Sequence, residues 1–211
     1  MSFASDTHQF TFIHVHRTGG TSVRALLRAS VPDLRQIGDG HVPHTMIPAG
    51  DPSAAYYSFG VVRDPVDWLG SLYRYVGWPL AGHVDQPTVA AMTFSQFIRW
   101  LVDVGLPRGD GTYRRQADFL QGVSSVLPFP AIAVAIPFEL AMFGVNVTIP
   151  LPRQLHTDPV PRHPVSRADV DFIYRQFAGD FDLYRHAVNK SMPLALRALR
   201  AVEPDLPPQQ D

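Results

Sequence analysis

Apolar residues along the chain fall into two kinds of run. Phe10 to Val15 and Ala55 to Val62 are aromatic and β-branched with little polar alternation, the composition of strands buried on both faces. Ala131 to Ile136 reads as a third buried strand, followed by a short helix at Phe138-Glu139-Leu140. Other runs repeat at helical spacing. Val23, Leu26 and Leu27 share one side, with Arg24 and Arg28 opposite. Trp68, Leu69, Leu72 and Tyr73 form the apolar side of a helix from Val66 to Tyr75, with Asp64 as its cap and Pro65 in its first turn. Phe94, Phe97, Ile98 and Leu101 follow a capping box, Thr93-Phe94-Ser95-Gln96. Further helices are predicted over Tyr113 to Leu120, from a Ser166 cap through Ile173 and Phe177 to a closing Gly179, and over Pro193 to Val202.

Between these runs lie breaks. Val31-Pro32-Asp33 stops the first helix, Gly38 to His44 reads as a loop, and Pro107 to Gly111 ends the Phe94 helix. Gly77 to Ala91 reads as an irregular excursion, and the proline-rich Leu151 to Pro164 as a surface loop. Strands alternating with helices predict an α/β fold of three layers, a central parallel sheet with helices on both faces. With no repeat and no linker, residues 1–203 are expected to form one domain and 204–211 a polar tail.

The first strand passes into its helix through Arg17-Thr18-Gly19-Gly20-Thr21-Ser22. Strand, glycine loop and helix is the layout of a phosphate cradle. Glycines let the backbone approach an anion, and helix-start N–H groups and the helix dipole favour negative charge. Thr21 and Ser22 add hydroxyls, and Arg17 adds a permanent charge. The loop is not a Walker A motif, because the cation precedes the glycines and no lysine follows them. The second strand ends in Arg63, with Ser71 about two turns into the next helix. In an open parallel sheet, ligands sit beyond the carboxyl ends of the strands, where both arginines are expected. A surface ion pair of Arg63 with Asp64 or Asp67 is the plainer alternative.

Composition narrows the partners. A formal net charge of −1 implies no polyanion-binding surface, so nucleic acid is not expected. Zero cysteines removes disulfides and thiolate metal sites and suits a reducing compartment. Met1 to Asp6 lacks the character of a signal peptide, and no apolar run reaches the ~20 residues of a membrane span. A cytoplasmic protein without a membrane partner is expected.

Phe12-Ile13-His14-Val15-His16-Arg17-Thr18-Gly19-Gly20-Thr21-Ser22 resembles the sulfotransferase loop F-I-H-x-P-K-T-G-G-T-S. Val62-Arg63-Asp64-Pro65-Val66 with Ser71 and Tyr73 resembles the same family's V-R-D-P-x-x-R-x-x-S-x-Y. The branch most similar contains the heparan and chondroitin 2-O-sulfotransferases, which use 3′-phosphoadenosine 5′-phosphosulfate (PAPS). Looser similarity covers Gly40-His41-Val42, the segment bearing that branch's catalytic histidine, and Arg115 to Gly122, similar to Q-T-x-x-L-x-G. Ile136 to Leu140 resembles a strand ending near a glutamate. The resemblance implies that Arg17, Thr18, Gly19, Gly20, Thr21 and Ser22 hold the 5′-phosphosulfate, and that Arg63 and Ser71 hold the 3′-phosphate. It implies sulfonate transfer from PAPS to a hydroxyl of a glycan or small-molecule acceptor, with Arg17 neutralising charge at the leaving group. His16 stands where the family has proline, Arg17 where it has lysine, and Trp68 or Asp67 at the second motif's arginine.

The transfer needs one general base and fixed positive charge, and no metal. His41 is the candidate base, with His44 and Glu139 as alternatives. His14 is expected beside the sheet, hydrogen-bonded. The competing classes are a non-catalytic adenine-nucleotide-binding protein, which would not need His41, and a P-loop-type phosphotransferase, which would need the missing lysine and an acidic strand end for magnesium.

Overall fold

The computed structural model describes residues 1–109, 111–152 and 164–202, with side chains left aside at 80 and 192–202. Most of the expected proline-rich loop (residues 153–163) and the tail 204–211 lie outside the described residues. The fold is α/β: a five-stranded sheet flanked by helices. In chain order the elements begin with β1 (Ser2–Ser5), β2 (Phe10–Ile13), α1 (Gly20–Ser30), β3 (Arg35–Ile37), β4 (Tyr57–Val62) and α2 (Pro65–Gly77). Then come α3 (Gln86–Ala90), α4 (Phe94–Trp100), α5 (Leu106–Arg108), α6 (Gln116–Phe119) and β5 (Ser125–Pro128). The last three are α7 (Ile132–Ala141), α8 (Arg167–Gln176) and α9 (Ala178–Val202).

The strand order is β3-β1-β2-β4-β5. β2, β4 and β5 are parallel, as expected, but β1 runs against both β2 and β3, so the sheet is mixed. Only four residues join β1 to β2, enough for a hairpin and far too few for a parallel crossover.

Successive strand residues supply opposite cores. Phe3, Phe12, Phe59 and Val61 face α1 and α7, packing on Val23, Leu26, Leu27, Ile136 and Leu140. Ala4, Ile13 and Val62 face the other way, packing with Phe119, Leu120 and Ala187 of the α6 and α9 side. A third core joins α2, α4 and α8 through Trp68, Leu72, Phe97 and Ile173. Among the described residues no helix is long and apolar enough to cross a membrane.

Several elements depart from their expected form. Ala131 to Ile136 is not a strand but the start of α7; the third parallel strand is β5, just before it. Ile136 and Leu140 reach the core one helical turn apart, whereas Val134, Phe138 and Met142 stay about half exposed. That one-sided burial outweighs the β-branched composition and the interior Pro137. The predicted helix at Tyr113 shrinks to α6. Gly77 to Ala91 is not wholly irregular, because it contains α3. Gly179 does not close a helix: Phe177 caps α8, and α9 runs from Ala178 through the expected Pro193 to Val202 segment.

Candidate functional site

The loop between β2 and α1 is held by its carbonyls. His41 Nδ1 lies 2.9 Å from the His14 carbonyl. The Thr18 hydroxyl donates to the Val15 carbonyl at 3.0 Å. Trp68 Nε1–H donates to the His16 carbonyl at 2.8 Å, and Arg63 Nη1 reaches the Arg17 carbonyl at 3.4 Å. Four consecutive carbonyls are thus engaged by side chains. The path requires left-handed backbone at Arg17 (φ +62°) and Gly19 (φ +82°), an uncommon conformation for arginine. Gly19 stands at the helix N-cap with no side-chain cap; its carbonyl accepts from the Ser22 and Val23 N–H groups, which leaves those of Gly20 and Thr21 for another acceptor. A Cβ at Gly20 would stand 1.8 Å from Cδ2 and Nε2 of His14, so the His14 ring occupies the space a side chain would need.

A cleft of about 430 Å³ opens at this point. It lies beyond the carboxyl ends of β2, β4 and β5, whose following residues His14, Arg17, Arg63, Phe129 and Pro130 line it together with Gly19 to Ser22. Ile132 and Ala133 of α7 add an apolar wall, and Leu151 and Pro152 complete the lining. Arg17 Nε donates to Ser71 Oγ at 3.1 Å, and its guanidinium lies 4.9 Å from the centre of the Tyr75 ring. The Arg63 guanidinium lies 4.7 Å from the Phe129 ring centre. Arg63 Nε is buried with no hydrogen-bond partner among the described residues. Burial lowers the pKa of both arginines, so each keeps its charge with less water around it. The alternative of an Arg63 ion pair is not what is seen: Asp64 instead caps α2, accepting from the N–H groups of Val66 and Asp67.

The backbone of Arg63 is clamped by Gln116. Arg63 N–H donates to Gln116 Oε1 and Gln116 Nε2 donates to the Arg63 carbonyl, both at 2.9 Å. Asp180, fully buried at the start of α9, accepts from the N–H groups of Gln116 and Ala117. Burial pushes its carboxyl pKa up to about 6.

Of the residues singled out in the sequence, Arg17, Gly19, Gly20, Thr21, Ser22 and Arg63 come together around the cleft. Thr18 is fully buried and shapes the loop through Val15. Ser71 is buried behind Arg17 and orients it. His41 does not line the cleft; its ring stacks on His16, centroids 3.4 Å apart. A carbonyl can only accept, so His41 carries its proton on Nδ1 and a lone pair on Nε2. Burial pulls its pKa down to about 4. His44 lies against the Gln121 carbonyl instead, and Glu139 is buried, accepting from Tyr57 Oη at 2.8 Å. Glu139 is about 10 Å along α7 from Ile132 at the cleft. His14, Phe129, Gln116 and Asp180 carry parts of the site that the sequence did not assign. Gln116 had a signal in the Q-x-x-x-L-x-G segment, and His14 in the F-I-H loop, where it was expected hydrogen-bonded beside the sheet rather than in the cleft. His14, His16 and His41 are stacked, not convergent, and among the described residues no group of three His, Cys, Asp or Glu is arranged to hold a metal.

No family model, curated protein or solved structure matches the chain.

The first prediction concerns the His14–Gly20 contact. Gly20→Ala is expected to destabilise the protein by about 1–3 kcal/mol, the range for overpacking a filled site. In a His14→Ala background the same change is expected to cost less than about 0.5 kcal/mol, because the ring it meets is gone. Urea denaturation of the four proteins in this cycle measures the coupling. Equal losses in both backgrounds would show that the ring is not the obstacle.

The second concerns pH. Burial lowers the pKa of His14, His16 and His41 alike. Unfolded, each takes up a proton near pH 6.5; folded, His41 does so only near pH 4. In that window the unfolded chain binds more protons, so stability falls as pH drops from 6.5 to 4, by roughly 3 kcal/mol for His41 alone. Asp180 opposes this, since its raised pKa makes the folded chain the better proton binder between about 4 and 6. Comparison with His41→Asn, which keeps a donor near the Nδ1 position and cannot titrate, cancels the Asp180 contribution. Denaturation across this range is expected to give the variant the shallower slope; identical slopes contradict the assignment.

Proposed function

We propose that the cleft is the nucleotide site of a sulfotransferase that moves a sulfonate group from PAPS to a hydroxyl of a glycan or small-molecule acceptor. The observation that carries this reading is convergence. Two arginines from different strand ends and an uncapped helix start meet in one cleft, and Arg63 presents a buried Nε without a partner. Buried donors are seldom left unpaired, and an oxyanion is the partner that suits all of these at once. The sequence resemblance supplies the chemical identity of that anion.

In this reading the start of α1, with Arg17, Gly19, Gly20, Thr21 and Ser22, holds the 5′-phosphosulfate, with Thr18 shaping the loop behind them. Arg63 holds the 3′-phosphate, while Ser71, buried behind Arg17, acts on the other end by orienting that guanidinium. Bound PAPS supplies the sulfonate and a phosphate leaving group. Arg17, fixed by Ser71, balances the charge that grows on the leaving oxygen. Arginine keeps its proton at neutral pH, so it acts by charge alone. His41 is the proposed base, through the Nε2 lone pair that its bond to the His14 carbonyl leaves open.

The third prediction separates the two ends of the nucleotide. Arg63→Ala is expected to weaken 3′,5′-adenosine bisphosphate by about 1.5–3 kcal/mol, the scale of a charge-assisted hydrogen bond. Adenosine 5′-phosphosulfate, which lacks the 3′-phosphate, is expected to bind almost unchanged. Calorimetry giving equal losses for both ligands refutes the assignment of Arg63.

One observation favours a second reading, a non-catalytic adenine-nucleotide-binding protein: His41 does not line the cleft. The fourth prediction decides between them. His41→Asn retains a donor for the His14 carbonyl and removes Nε2. As a base variant it is expected to lower kcat about 10²–10⁴-fold in transfer from labelled PAPS to a hydroxyl-compound and glycan panel, with nucleotide affinity unchanged. Tight bisphosphate binding by the wild type with no transfer to any acceptor favours the binding protein.

A further inference from the structure

His14 is a strand-end residue with no role in the reading above, yet it lines the cleft. Its side chain is almost wholly enclosed, the residue being 7% exposed. Nδ1 lies 3.1 Å from the nitrogen of Met1. Burial lowers the pKa of that amine to about 5, so as a free amine it can donate or accept; when it donates, Nδ1 accepts and the proton of the neutral ring sits on Nε2. The Nε2 edge lies over the Cα of Gly20, in the space where a Cβ would be, at the first residue of α1. Among the described residues no acceptor is seen for that N–H.

We propose that His14 is an anion-binding residue that donates its Nε2–H to a phosphate- or sulfate-ester oxygen seated at the start of α1. The assignment rests on reading the cleft as a nucleotide site and names one contact within it. The surroundings supply donors and little else. No side chain caps the start of α1, where the Gly20 and Thr21 N–H groups stand, and Arg17 and Arg63 face the same space. A neutral imidazole adds a directed donor without placing a third positive charge beside two arginines already short of water. The same geometry explains why residue 20 is glycine: the ring must lie flat against the helix start to reach an anion there. Burial lowers the pKa of His14, so the ring stays neutral across the ordinary pH range and the donor is not lost as pH rises.

The test uses the full chain and two substitutions. His14→Gln returns an N–H donor near the Nε2 position, whereas His14→Met fills the space without one. Calorimetry with 3′,5′-adenosine bisphosphate is expected to show His14→Gln within about threefold of wild type and His14→Met about 10–100-fold weaker. Adenosine 3′-phosphate, with nothing at the 5′ end, is expected to bind all three alike. Wild-type affinity in His14→Met overturns the proposal and leaves the nucleotide reading standing. Failure of the wild type to bind the bisphosphate or inorganic phosphate overturns the nucleotide reading and this assignment with it.

A measurement on the unmutated protein guards against misfolded variants. Two-bond proton–nitrogen spectra of the imidazoles are expected to show His14 with its proton on Nε2, shifting downfield when bisphosphate is added. A proton on Nδ1, or an Nε2–H resonance unmoved at saturation, overturns the proposal. A role confined to packing would leave the tautomer intact and the resonance still.

Discussion

The four carbonyls from His14 to Arg17 set the character of the cleft. Carbonyls left facing it would repel an anion and compete for the arginines. Each is instead engaged by a side chain: His41 from beyond β3, Thr18 from the loop itself, Trp68 from α2, and Arg63 from the end of β4. Three of the four come from elements that meet only when the sheet and α2 are assembled. The loop therefore cannot hold its shape as a local turn. Its left-handed Arg17 costs free energy, of the order of 1–3 kcal/mol for such a residue, which the surrounding contacts must offset.

Arg63 shows the same dependence at longer range. Its main chain is held through both N–H and carbonyl by one buried glutamine, and that glutamine sits at the start of a four-residue helix. So short a helix is not stable by itself. Asp180, at the start of α9, accepts from its first two N–H groups and fixes it. The path Asp180, Gln116, Arg63 thus links the face of the sheet opposite α1 to the cleft. A buried carboxylate with its pKa raised to about 6 is an expensive way to cap one turn. That expense is consistent with a need for accurate placement of Arg63.

What the sequence disclosed follows from where local chemistry alone decides structure. β2, β4, α1 and α2 were legible because composition, the Asp64 cap and Pro65 agree with tertiary packing. Thr93 and Ser166 both form their capping boxes. Strands β1 and β5 were not legible, because Ser-Phe-Ala-Ser and Ser-Val-Leu-Pro carry little β signature and are strands only by pairing with β2 and β4. The start of α7 was misread for the converse reason: Ile132, Val134 and Ile136 look like a strand until the core is seen to take only one face. At the cleft, glycines and arginines announced themselves. Thr18, Ser71 and His41 were legible as chemistry but not as geometry, since a hydroxyl or imidazole in a motif can face the ligand or the loop behind it.

Positive charge in the cleft is left without a carboxylate in contact. Arg17 and Arg63 make no carboxylate ion pair within 4.0 Å among the described residues; their contacts are the Ser71 hydroxyl, the Arg17 carbonyl and two aromatic faces. The three nearby histidines are driven to the neutral form, chiefly by burial. Two partly dehydrated cations held near one another, with Asp64 and Asp67 near Arg63 but not in ion-pair contact, would favour a ligand bearing at least two negative charges. A monoanion leaves one guanidinium unmatched, and a neutral ligand leaves both. Had Asp64 turned toward Arg63 instead of capping α2, the protein would have carried its own counter-ion, and the attraction for an external anion would have been largely spent.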